Sequence, residues 1–252
     1  MRRFLSVLGV VLPFFSSAAF SAPLKAGQED FVSANILGIF YHELGHAVID
    51  VEALPIFGQE EIAADVFAVY AIDHLYGEVA ARDIMGHVLA GFLAEVRMEQ
   101  EEERELAFWD EHGLTQQRYY NSLCLFYGAD PENRSDISVA FELPLEREEI
   151  CPDEFDSAHK SWGSVLEHLG TRADGYVLSL EISDQLNRDF QAVDVLGWEV
   201  ELLNQRLRFS EPVVVAVEPC EEANAFYDPE GRRITFCVEY EDDLIHMARE
   251  MR

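Results

Sequence analysis

His42 and His46 stand four residues apart, with Glu43 directly after the first, in the run Tyr41-His42-Glu43-Leu44-Gly45-His46. Four residues are about one helical turn, so on a helix both imidazoles leave the same side and reach one ion. Glu43 is rotated by about 100° from His42. That is too far round to join them as a ligand, but it is well placed to reach a water held by the ion. The pattern is H-E-x-x-H, in which zinc acidifies a water and a carboxylate takes its proton. It works only on a helix, and the flanking residues predict one. Leu37, Phe40, Tyr41, Leu44 and Val48 recur at helical spacing as one apolar stripe, roughly opposite the histidines.

Pro55 and Gly58 then break the chain, so the first helix ends near them and a second begins near Gln59. The second carries Glu60-Glu61-Ile62-Ala63-Ala64-Asp65, with Glu61 and Asp65 again about a turn apart. Acids at a helix start also suit the helix dipole, but two motifs in order across a breaker favour a metal site. The arrangement resembles the gluzincin metallopeptidases, which carry E-x-x-x-D on a second helix after H-E-x-x-H. By that resemblance His42, His46 and Glu61 hold Zn2+, and Asp65 orients a ligand histidine from behind, on the ring nitrogen away from the ion. Glu61 rather than Glu60 is the expected ligand. It is four residues from Asp65 and shares its face, while Glu60 is turned about 100° aside. Ala63 and Ala64 are small enough for the two helices to approach closely.

Glu43 is the expected general base. Peptide hydrolysis also needs a donor for the developing oxyanion. Gluzincins supply a downstream histidine or tyrosine, which leaves His112, Arg118, Tyr119 and Tyr120 as candidates. His112 is assigned the second catalytic role with Glu43, because the two acids before it, Asp110 and Glu111, raise its pKa and keep it a donor. His74, His87, His159, His168 and His246 have no motif around them.

Arg2 and Arg3, the apolar run from Phe4 to Phe15 and the small residues of Ser16–Ala22 read as a targeting segment over residues 1–21, cut after Ala19 or Ser21. The run is too short for a membrane span. An exported protein, periplasmic or secreted, is therefore expected, without stable membrane insertion. Export gives the even cysteine count meaning. Cys124, Cys151, Cys220 and Cys237 allow three pairings, and neighbour pairing closes the shortest loops. No C-x-x-C is present to suggest a cysteine zinc site. The 48 acidic residues against 18 basic ones, a net charge of −30, argue against nucleic acid or an anionic membrane as partner.

The fold class expected is α+β: a mainly helical, zincin-like domain over residues 22–252 with a small C-terminal β-hairpin or sheet at about 211–239. Helices are predicted over roughly 29–50, 59–76, 78–105 (with breaks near Gly86 or Gly91), 114–127, 161–169 and 183–208, with a final one from Glu241. Residues 128–157 read as loop. Tyr176–Ile182 reads as a strand. Pro212–Val217 and Arg233–Val238 read as two strands with the turn Asp228-Pro229-Glu230-Gly231 between them. Zincins place a sheet before the active-site helix and bind substrate along its edge strand. Here only about twenty residues of the mature chain precede His42, so the C-terminal hairpin is expected to supply much of any sheet.

The whole is similar to a bacterial family of inferred metallopeptidases. The similarity lies in the two motifs, in Asp110-Glu111-His112 with Gln117-Arg118, and in Asn224-Ala225-Phe226-Tyr227-Asp228-Pro229 between two cysteines. The resemblance implies an exported zinc peptidase acting on peptides or proteins. The alternatives are a catalytically inactive protein in which zinc staples two helices, and a secreted interaction protein with a vestigial motif.

Overall fold

A computed structural model of the chain describes residues 24–251. The targeting segment expected at 1–21 lies outside the described residues. The first helix, α1 (Ala26–Val51), is the centre of the structure. Phe31, Val32, Ile36, Phe40, Tyr41, Leu44, Ala47 and Val48 are all buried and leave the helix in several directions. A helix buried nearly all round needs partners on every side. It packs against α2 (Glu60–Leu75), α3 (Glu78–Glu101), α9 (Gln191–Arg206), α10 (Val238–Glu250) and two strands of the sheet. The single apolar stripe expected from sequence is therefore only part of its buried surface.

Between α1 and α2 the backbones come very close. A Cβ on Gly45 would sit 3.0 Å from the Cα of Ala64, so the glycine inside H-E-x-x-H and the buried alanine after Glu61 together permit the approach. On the other side, Asn35 of α1 donates to the carbonyls of Phe31 and His87. Its side chain fills the space a Cβ at Gly91 would take. Gly91 is thus a contact point within one continuous α3 rather than a break.

Next come α4 (Thr115–Ala129), α5 (Ser135–Ala140), α6 (Leu145–Glu148) and α7 (Cys151–Ala158). A π-helical turn over His159–Gly163 leads from α7 into α8 (Ser164–Thr171). The stretch read as loop over 128–157 is therefore three short helices. The disulfide Cys124–Cys151 ties them to α4.

The strands are β1 (Leu178–Ile182), β2 (Val213–Glu218), β3 (Ala225–Asp228) and β4 (Arg233–Cys237), in the spatial order β1-β2-β4-β3. β1, β2 and β4 run parallel, and only β3 is antiparallel, to β4. The two strands expected as hairpin partners, β2 and β4, are thus parallel neighbours, Val215 facing Ile234. The turn at Asp228–Gly231 closes β3 onto β4 instead. Parallel neighbours need a crossover connection, and the segment containing β3 provides it. Residues 183–190, expected as helix, precede α9. Cys220 and Cys237 are bonded and join the chain just after β2 to the end of β4. Both neighbour pairings are present, and two disulfides fit an oxidising, exported environment. Among the described residues no helix is long and apolar enough to cross a membrane. One hydrophobic cluster runs through the helices and the sheet, giving a mainly helical α+β fold.

Candidate metal centre

The register of α1 places His42 and His46 toward α2, and the register of α2 returns Glu61 to them. Glu61 Oε2 lies 3.1 Å from His42 Nε2 and 3.4 Å from His46 Nε2. The two imidazole nitrogens are 3.3 Å apart. A third histidine reaches the same oxygen. His112 comes from the irregular segment 102–114 between α3 and α4, and its Nε2 is 2.9 Å from Glu61 Oε2. Its ring lies roughly parallel to that of His42, with centroids 6.2 Å apart.

Each histidine is also held from its far side by a carboxylate. His42 Nδ1 is 2.8 Å from Asp65 Oδ1, His46 Nδ1 is 2.9 Å from Glu60 Oε1, and His112 Nδ1 is 3.4 Å from Asp110 Oδ1. Asp65 is fixed in turn by Arg118, whose Nε and Nη2 donate to its two oxygens at 2.9 and 2.7 Å. Tyr41, one residue before His42, donates its hydroxyl to buried Glu199 on α9, as does Tyr76. This pins the rotation of α1 at the motif.

The charges follow from this packing. Burial would raise Glu61, but hydrogen bonds from His112, His42 and His46 hold it far below the ordinary carboxylate range. Burial would likewise raise Asp65, but His42 and Arg118 bring it down to about 2. Burial would lower His46, yet Glu61 and Glu60 push it up to about 9, and His42 is raised for the same kind of reason. Three rings thus converge on one carboxylate oxygen. A divalent ion there needs neutral imidazoles and an ionised carboxylate as ligands. Two to three imidazole nitrogens with one carboxylate, each backed by a further hydrogen bond, is a donor set that suits zinc.

Glu43 does not join this cluster. It is buried beside it, and burial raises its pKa against the opposing pull of His42 and His46. It lines a cavity of about 200 Å³ together with His42 and His112. The inner wall is apolar, with Ile72, Met85 and Val88, and Glu95 and Tyr240 add polar groups. Burial, then Glu95, pushes Tyr240 up to about 12, so it keeps its proton. Asn224 and Ala225, at the start of the edge strand β3, line the same cavity.

The structure thus brings together His42, Glu43, His46, Glu61, Asp65 and His112. Of the other downstream candidates, Arg118 also lines the cavity. The Arg118 guanidinium is committed to Asp65, and Tyr119 donates its hydroxyl to the carbonyl of Phe141. Sequence reasoning did not anticipate Glu60 behind His46, nor Glu95 and Tyr240 on the cavity wall. Adjacency to Glu61 was the only signal for Glu60. Nothing in the sequence marks Tyr240, which the turn from β4 into α10 brings in from two hundred residues away.

The model of a family described as "putative metallopeptidase" matches residues 14–166 and 180–251 of the chain. No curated protein gives a match, and neither does any solved structure.

Proposed function

The chain belongs to that metallopeptidase family, and from this premise we propose that it is an exported, zinc-dependent peptidase of gluzincin type. The observation that carries the reading is the convergence of His42 Nε2 and His46 Nε2 on Glu61 Oε2 at 3.1 and 3.4 Å, with Glu43 buried beside them. His42, His46 and Glu61 would hold the ion, and Asp65 holds His42 in the tautomer that leaves Nε2 free for it. Zinc bound there supplies a Lewis acid and a water acidified to a pKa of about 7.

Glu43 accepts the proton of the attacking water and passes it to the leaving nitrogen. Its buried position beside His42 and His46, outside the ligand set, suits an acid–base group that must both take and return a proton. His112 stands at the cavity mouth as a donor to the oxyanion that develops on the substrate carbonyl. The substrate is a peptide or protein. β3 is an edge strand whose start lines the cavity, which suits strand addition by an extended peptide, and the apolar side chains of the cavity accept an apolar side chain. The strongly acidic surface disfavours nucleic acid as partner. The segment over residues 1–21 directs export, and residues 22–252 form the single peptidase domain.

A second reading has one observation in its favour. His112 Nε2 is as near to Glu61 Oε2 as the other histidines are, and a site filled by four protein ligands is typical of structural zinc. Metal analysis and activity separate the readings. The mature protein is expected to carry one zinc per chain and to cleave an unfolded protein substrate. A chelator should abolish cleavage, and added zinc should restore it. Full zinc occupancy with no cleavage of any peptide in a diverse library would contradict the peptidase reading.

A further inference from the structure

We propose that His112 is a fourth protein ligand in the resting centre and leaves it when substrate enters. The inference rests on the metallopeptidase reading and extends it. All three histidines share one arrangement: Nε2 directed at Glu61 Oε2 and Nδ1 held by a carboxylate, from Asp65, Glu60 and Asp110 respectively. A carboxylate on the far ring nitrogen is the usual support of a metal-bound histidine. Asp110 also accepts the backbone N–H of His112 at 3.0 Å, which fixes the turn that presents the ring.

The four groups are not equivalent. His42, His46 and Glu61 stand on two helices whose backbones are in contact through Gly45 and Ala64. His112 alone stands on an irregular segment, and its side chain is 45% exposed against 9% for His42. Hydrolysis needs an open position on the ion, so one ligand must yield, and His112 is the one whose departure disturbs no helix. The same segment exposes Leu106, Phe108 and Trp109, at 50%, 76% and 78%. Contacts of a peptide substrate with these side chains would act on the same segment that carries His112, and they favour the displaced state only if they are stronger there.

X-ray absorption of the zinc-loaded mature protein counts the imidazoles directly. The resting wild type should show three, and His112→Ala two. Zinc affinity of His112→Ala, measured by competition with a chelator, should fall by at least the ~10- to 100-fold that loss of an outer partner alone produces. A peptide hydroxamate at saturation should lower the wild-type count from three to two. Two imidazoles in the resting wild type, or three that persist under saturating hydroxamate, would overturn the proposal. Two imidazoles with hydrolysis that depends on Glu43 would remove it and leave the peptidase reading standing. Three imidazoles with no hydrolysis of any peptide would remove the peptidase reading and, with it, the displacement by substrate, leaving His112 as a permanent ligand of a structural zinc.

Discussion

Glu60 and Glu61 are adjacent in sequence yet contact opposite nitrogens of one histidine: Glu60 Oε1 is 2.9 Å from His46 Nδ1, and Glu61 Oε2 is 3.4 Å from His46 Nε2. A helical step of about 100° turns one carboxylate to the front of the ring and the other to its back. The two should therefore fail differently. Glu61→Gln replaces an anionic ligand by a neutral amide and should abolish stable zinc binding. Glu60→Gln removes only the support behind His46. Its side chain is half exposed, so the loss should be about tenfold, at the low end for such partners. Zinc stoichiometry after dialysis against a mild chelator distinguishes them, and greater loss in the Glu60 variant would reverse the assignment.

Gly45 tests the link between helix packing and the metal centre. Gly45→Ala gains up to about 1 kcal/mol in helix propensity but sets a Cβ 3.0 Å from the Ala64 backbone. Backbone cannot rotate away as a side chain can, so α2 must shift, at a cost of about 1–3 kcal/mol. The variant should lose both stability and zinc affinity, since Glu61 moves with α2. Denaturant unfolding and chelator competition measure the two. Unchanged zinc affinity would mean that the close approach is not what sets the ligand distance.

These two tests concern the part of the molecule most legible from sequence. His42, His46, Glu61 and Asp65 stand at one-turn spacings on two helices separated by a breaker, and the fold brings the four side chains together. The sheet was less legible. Val213-Val214-Val215-Ala216-Val217 is apolar without alternation, which suits a central strand between parallel neighbours, and β2 is that strand. A hairpin reading paired it with the next apolar run and passed over the short β3. Residues 128–157 looked like loop because their helices are of four to eight residues, too short for periodicity to register. The far ends of the site, Arg118 on Asp65 and Tyr240 in the cavity, depend on tertiary contacts that no local pattern encodes.

Glu52 makes stability depend on pH away from the metal centre. Burial would raise its pKa, but Arg172 and the backbone and hydroxyl of Ser210 lower it from the ordinary 4.5. The folded state therefore binds this proton less readily than the unfolded chain does. The contribution is fully present above the unfolded value and is lost as pH falls through the lower folded one. The stability gap between wild type and Glu52→Gln, measured by denaturant midpoint, should be largest near neutrality and should shrink on acidification below about pH 4.5. A gap that grew on acidification would contradict the assignment.

Reduction should weaken the sheet. Cys220–Cys237 closes a loop with a sequence separation of 17, and in the chain-entropy model a bridge of that size contributes about 3 kcal/mol. The double variant Cys220→Ser, Cys237→Ser should lose roughly that amount in denaturant unfolding, and non-reduced peptide mapping should find both native pairs. A crossed pair joining Cys124 or Cys151 to Cys220 or Cys237 would contradict the connectivity.

The central claim is that Glu43 moves the proton and does not hold the ion. Glu43→Gln is nearly isosteric, keeps the buried position beside His42 and cannot accept the water's proton. Zinc content and peptide hydrolysis of wild type and variant, measured on the same preparations, test it most directly. The account predicts equal zinc and a loss of hydrolysis of at least ~10²-fold. Equal hydrolysis by the two zinc-loaded proteins would contradict it.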